Sequence, residues 1–265
     1  MIAKDMYELG SKRSSIRELF EYGKKRAAAI GAENVFDFSI GNPSVAPPPE
    51  VKEAILSLLT EKDAVALHGY TSAQGDYAVR KAICDDVNKR FATDFTADCF
   101  YMTAGAAASL TISLKALTVA GDEVITFAPF FPEYRVFVEA AGAKFVVVPM
   151  REPDFQIDFV QFQQCINEHT KAVIINSPNN PSGAVYTEKT ICELCRILQE
   201  KEKEYGHPIY LISDEPYREI VYGDVVVPYV PNYYDDTVVC YSYSKSLSLP
   251  GERMGYILVS NKVQN

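Results

Sequence analysis

Several things are scarce in this 265-residue sequence, and each scarcity narrows what the chain does. No stretch approaches the roughly 20 consecutive apolar residues a membrane-spanning helix needs, so no membrane partner is expected. A secretory leader is also missing from the pattern, because Lys4, Asp5 and Glu8 interrupt the opening residues and no apolar core follows. The expected location is cytoplasmic. Positive charge is in deficit, with 26 Lys and Arg against 35 Asp and Glu and a formal net charge of -9. Phosphate-rich polymers are bound by clustered cations, so nucleic acid is not an expected partner. The one basic bias lies in residues 1–31, where the charges are interleaved with Ile16, Leu19, Phe20 and Ala27 as on a solvated helix face.

Cysteine is sparse as well. The six residues Cys84, Cys99, Cys165, Cys192, Cys195 and Cys240 are scattered through core-like segments rather than arranged as a scaffold of bridges. Cys192 and Cys195 form a C-x-x-C inside a helical pattern, and no second pair completes a zinc site, so no metal is expected. Low-complexity segments, internal repeats and interdomain linkers are lacking too.

What the chain does have is a hydrophobic content of 48%, enough to bury a large core in one main domain. Residues 1–31 read as an amphipathic helix, and Phe36-Asp37-Phe38-Ser39-Ile40 as a short strand ending in Gly41-Asn42-Pro43. After Pro47-Pro48-Pro49 come helices over about 50–60 and 76–91. A β/α rhythm follows, with a helix opening at Thr103-Ala104-Gly105-Ala106 and strands over 123–127, 144–148, 172–176, 209–213 and 237–242. Helices over 133–141, 159–168 and 187–204 separate them, and a last strand covers 255–260. Such alternation predicts an α/β fold: a three-layer α/β/α arrangement around a mostly parallel sheet.

The chemistry-bearing residues fall where these strands end, which is where open α/β sheets bind ligands. Lys245, in Ser242-Tyr243-Ser244-Lys245, follows a buried strand and is followed by Arg253; desolvation and a neighbouring cation would keep its amine nucleophilic. Asp214, after Ile209-Tyr210-Leu211-Ile212, is a buried carboxylate suited to a protonated pyridine nitrogen. Tyr217 and Asn180 supply donors for a ring oxygen, and Phe131 an aromatic face. A helix starting at Ala104-Gly105-Ala106 offers free backbone N–H groups to a phosphate, with Ser242, Ser244 and Arg253 to complete the cage. Together these parts point to pyridoxal phosphate.

In this order the motifs resemble the fold-type I, class I/II aminotransferases that use pyridoxal phosphate. The resemblance runs from Gly41-Asn42-Pro43 through Gly69-Tyr70, Thr103-Ala104-Gly105-Ala106, Pro129-Phe130-Phe131-Pro132-x-Tyr134, Asn176-Ser177-Pro178-Asn179-Asn180-Pro181-Ser182-Gly183 and Asp214-x-x-Tyr217 to Ser242-x-Ser244-Lys245 and Arg253. It implies that Lys245 forms the internal aldimine and then acts as base, that Asp214 pairs with the pyridine nitrogen, and that Asn180 and Tyr217 bond the ring oxygen. Phosphate contacts from Ala104, Gly105, Ala106, Ser242, Ser244 and Arg253 are implied with them, and Phe131 against the ring. It further implies substrate contacts at Gly41, Asn42 and Asn180, an amino acid and a 2-oxo acid as substrates, and a homodimer in which Tyr70 reaches the other subunit's phosphate.

The sequence departs from the family in one respect. Family members continue into a C-terminal small domain whose arginine clamps the substrate carboxylate, whereas this sequence ends at Asn265. The expected organisation is an N-terminal arm over 1–45, part of a small domain, and a large cofactor-binding domain over 46–265, with the C-terminal small domain absent and turnover impaired. Some aspartate-preferring relatives carry a basic residue where this chain has Ala107, which leaves a neutral amino acid open as the donor. Two other readings share the motifs: a pyridoxal-phosphate-dependent β-lyase, since the protein selects which bond breaks, and a non-enzymatic regulator domain, which the acidic balance disfavours.

Overall fold

The structure, a computed structural model, describes residues 4–11 and 15–263. The chain divides into two units, Met1–Ala46 and Pro47–Asn265. In the first unit the described part of the helix expected over residues 1–31 is helical, as α1 (Lys4–Ser11) and α2 (Ser15–Ile30); residues 1–3 and 12–14 of that expectation lie outside the described residues. The strand expected at Phe36–Ile40 does not form. Asp37 turns the chain instead, its carboxylate accepting from the Ser39 N–H at 2.9 Å and the Ser39 hydroxyl at 2.6 Å. Such a local side-chain bond competes with any ladder.

The second unit carries α3 (Pro49–Glu61), α4 (Ala64–His68) and α5 (Tyr77–Phe91), then β1 (Phe100–Thr103), α6 (Ala106–Leu117), β2 (Glu123–Phe127), α7 (Glu133–Ala141) and β3 (Lys144–Val148). It continues with α8 (Phe159–Cys165), β4 (Thr170–Asn176), α9 (Glu188–Tyr205), β5 (Tyr210–Asp214), β6 (Thr237–Ser242), α10 (Tyr243–Ser246) and β7 (Gly255–Val259). The helix starts follow from their caps: Asp63, Asp76, Asp158, Thr187 and Ser242 each accept a hydrogen bond from a first-turn N–H. Glycines in the left-handed conformation, Gly142 and Gly206, end α7 and α9. Three of these elements have no counterpart among those expected from sequence: α4, five residues long, β1, four residues with no alternation to mark it, and α10, a single four-residue turn.

The seven strands pair in the order β1-β7-β6-β5-β4-β2-β3. Strand β7 runs antiparallel to both β1 and β6, and the β2–β3, β2–β4, β4–β5 and β5–β6 pairs are parallel. The expected mostly parallel sheet is therefore present, with β7 as its one reversal. Side chains alternate between its faces. Ile125, Phe127, Val173, Ile175 and Leu211 meet α8 and α9, while Val124, Ile174, Ile212, Val238 and Cys240 meet α6 and α7. Toward the β1 edge, Val239 and Tyr241 turn instead to a third cluster with Cys84 and Val87 of α5. With β2, β4, β5 and β6 buried along their whole length or nearly so, both faces are covered, the three-layer arrangement of a parallel sheet. Among the described residues no helix is long and apolar enough to cross a membrane.

Candidate active site

Because β4, β5 and β6 are parallel, their C-terminal ends emerge side by side and deliver Asn176, Asp214 and Ser242 to one edge of the sheet. There they border a cavity of about 210 Å³ that also takes in Ala106, Phe131, Asn180, Tyr217, Ser244, Lys245 and Arg253. Nine residues named from sequence thus share one cavity.

Asp214 is the most constrained of them. It is buried; its Oδ2 accepts a 2.5 Å hydrogen bond from the Tyr134 hydroxyl, and its Oδ1 has no hydrogen-bond partner. Burial pushes the carboxyl up to about 7, and the Tyr134 bond opposes that rise. A buried carboxylate with one oxygen satisfied and the other unpartnered, at the wall of a cavity, is energetically costly unless a cationic donor arrives there.

Around it the loops are tied down. Asn176 Nδ2 donates to the Asp214 carbonyl at 2.8 Å, and Asn176 Oδ1 accepts from the Asn180 N–H at 2.6 Å, so one side chain fastens the Asn180 loop to the end of β5. Asn180 Nδ2 in turn lies 3.4 Å from the Tyr217 hydroxyl. The Lys245 Nζ stands 5.9 Å from the centre of the Tyr217 ring, and partial burial lowers the ordinary lysine pKa. Ser242 caps α10, its Oγ accepting from the Ser244 N–H at 3.1 Å and lying 2.7 Å from the Ser244 Oγ. The Phe131 ring meets Tyr134 edge-on at 5.7 Å.

The turn before α6 is packed to its limit. Gly105 has φ +91, and a Cβ there would stand 2.8 Å from Arg253 Nη2. Arg253 itself donates to the Ala104 carbonyl at 3.2 Å and to the Pro250 carbonyl at 2.9 Å. No side chain caps the N-terminus of α6, so its first N–H groups stay available to an anion. A Cβ on Gly255 of β7 would fall 2.3 Å from the Tyr241 carbonyl and 3.0 Å from Gly105 Cα, which is why that strand can lie against the turn.

The remaining expected residues lie elsewhere. Gly41 and Asn42 belong to the first unit, where the Asn42 N–H bonds the Ile40 carbonyl at 2.7 Å. Tyr70 is in the second unit, fully exposed at 109% and away from the cavity lining. Sequence reasoning gave no role to Tyr134 or Asn176. The only signal for either was membership of a motif already singled out, because both side chains bond to Asp214, which lies on a different element, β5.

A mostly parallel α/β sheet whose strand ends gather a lysine, a half-satisfied buried carboxylate and an uncapped helix start has the arrangement in which open α/β sheets bind ligands. Residues 33–265 match the family "Aminotransferase class I and II", and the chain belongs to it. Members of this family use pyridoxal phosphate. The chain is similar to an amino transferase of Eubacterium rectale, with 60% identity and a TM-score of 0.96 over 100% of this chain and 67% of that one. It is 32% identical to an aspartate aminotransferase of Pyrococcus horikoshii over 95% of this chain and 61% of that protein. A Thermotoga maritima aspartate aminotransferase is 34% identical over 91% of this chain and 62% of its own length. The chain thus spans about three fifths of the two aspartate aminotransferases.

The cavity suits the family's cofactor on its own terms. Asp214 Oδ1 lacks the cationic donor that a pyridinium N–H would be, and the glycine-lined turn beside Arg253 leaves free N–H groups where a phosphate would sit.

Proposed function

We propose that this chain holds pyridoxal phosphate at Lys245 and carries the catalytic groups of a transaminase acting on an amino acid and a 2-oxo acid. The observation that supports it most is the buried, unpartnered Oδ1 of Asp214, a residue that lines the same cavity as Lys245. In this reading Asp214 pairs with the ring nitrogen, Tyr217 and Asn180 donate to the ring oxygen, and Phe131 lies against the ring. Ser242, Ser244, Arg253 and the N–H groups at Ala104–Ala106 hold the phosphate.

When bound, the cofactor supplies an electron sink for the substrate's α-carbon. The chain's residues do the rest. Lys245, whose pKa burial lowers so that more of its amine is neutral, would hold the cofactor and, with its amine free, would take the substrate's α-proton on its Nζ and return it. Asp214 would be held ionised by a positive charge on the ring nitrogen, which lowers a neighbouring carboxyl's pKa. Asn42 and the Gly41 backbone are proposed as substrate-side contacts.

We further propose a homodimer in which Tyr70 reaches the partner's phosphate. Its complete exposure supports this, as do the exposed Leu56, Leu59 and Val65 on α3 and α4, the kind of apolar surface that marks an interface. The test of the function is borohydride reduction of the cofactor-loaded protein with peptide mapping, joined to an assay of amino-group transfer. Adduct at Lys245 and a new 2-oxo acid are the expected results; an adduct at another lysine contradicts the reading.

A further inference from the structure

Lys245 and Tyr217 are carried by two short segments that cannot hold their own shape. Helix α10 is four residues long, and a single helical turn is unstable without outside contacts. Tyr217 sits in the turn 216–219 beyond β5, held locally by the Ile220 N–H to the Tyr217 carbonyl at 2.8 Å. Something else must fix the spacing between them.

One side chain touches both segments. Tyr241, in β6, is buried, and its hydroxyl lies 2.9 Å from Glu219 Oε2, two residues past Tyr217, and 2.9 Å from Ser246 Oγ, the residue after Lys245. A phenol has one proton. The carboxylate is the stronger acceptor, so the proton goes to Glu219 and the Ser246 hydroxyl donates back. The bridge is braced from several sides. The Tyr241 ring stacks on Tyr256 at 4.9 Å, and the Arg218 guanidinium lies over it at 5.1 Å while pairing with buried Glu215. From α5, Arg90 Nη2 holds Glu219 Oε1 at 2.9 Å.

We propose that Tyr241 is a positioning residue: through Glu219 and Ser246 its hydroxyl sets the distance between the Lys245 amine and the Tyr217 hydroxyl. The inference rests on the reading that both groups bear on the bound cofactor. Without the bridge, Lys245 still attaches, but Tyr217 no longer donates steadily to the ring oxygen. Losing that donor raises the pH at which the cofactor–lysine linkage gives up its proton.

The test is Tyr241→Phe in the protein reconstituted with pyridoxal phosphate, reading the pH midpoint of the visible band and the cofactor affinity by titration. The expected result is an adduct still at Lys245, a midpoint raised by at least about 0.5 pH unit, and affinity weakened about fivefold, the scale of one lost hydrogen bond. Ser246→Ala leaves the aromatic packing intact and should shift the midpoint the same way by less. It decides the matter by the same readout if the Phe variant does not fold. The double variant should go no further than Tyr241→Phe alone, because the two act through one bridge. Lower melting temperatures with an unmoved midpoint in both single variants would mean that Tyr241 only packs, and would overturn the proposal. A wild-type protein with no adduct at Lys245 removes the cofactor reading itself, a separate failure visible before any variant is made.

Discussion

The Tyr134 hydroxyl donates to Asp214 Oδ2 across 2.5 Å and leaves the other carboxylate oxygen, Oδ1, without a partner in a residue that lines the cavity. Both side chains are buried, and the bond is the one interaction that restrains the upward push of burial on the Asp214 carboxyl. Tyr134→Phe therefore raises that pKa further and leaves Oδ2 unsatisfied. A bond to a charged group contributes about 1.5–3 kcal/mol, so cofactor affinity near neutral pH should fall by about tenfold or more. Equilibrium titration of the visible band checks this; unchanged affinity would mean the tyrosine only fills space.

Without cofactor, the same carboxyl makes stability depend on pH. Its folded value of about 7 lies above the ordinary aspartate value of 3.8, so the folded state binds the proton more tightly than the unfolded chain. The contribution is fully present below about pH 4 and is lost as pH rises through about 7. The span corresponds to on the order of 4 kcal/mol. Asp214→Asn should remove this slope and narrow the difference from wild type at low pH, as chemical denaturation at several pH values would show. Parallel slopes for the two proteins would contradict the assignment.

At Gly105 the positive φ and the nearness of Arg253 both exclude a side chain. Gly105→Ala should destabilise the protein by about 1–3 kcal/mol and weaken cofactor binding, because either the turn or Arg253 must move. Inorganic phosphate should protect wild type against thermal unfolding more than it protects the variant. Equal protection would place the phosphate somewhere else.

Much of the second unit was legible because its elements are local patterns. The strands 123–127, 144–148 and 237–242 have the same bounds in sequence and structure, since unbroken apolar runs between turn signals leave little alternative. Caps such as Asp76 and Thr187 set helix starts within a residue of the expected ones. What escaped the sequence depends on distant partners. Strand β1 is only four residues and exists through its pairing with β7 near the other end of the chain. Tyr134 and Asp214 are 80 positions apart, and no spacing rule joins them. Phe36–Ile40 failed in the other direction: it has strand composition, but Asp37 spends its carboxylate on a turn. The motifs around Asn180, Asp214 and Lys245 were readable as a set because each follows the end of β4, β5 or β6, and parallel pairing brings those ends together.

Lys245→Ala addresses the reactive amine. The variant should fold, since it removes a half-buried amine whose charge burial disfavours, yet amino transfer should fall by about 10³-fold or more with loss of the proton-moving group. Retained transfer would place the proton on another residue.

The most direct measurement is the mass-spectrometric site of cofactor attachment after borohydride reduction of the loaded wild-type protein. The account predicts one reduced pyridoxyl adduct, on the peptide bearing Lys245, accompanied by loss of the visible band. A stable visible complex whose adduct maps to any other lysine would contradict it.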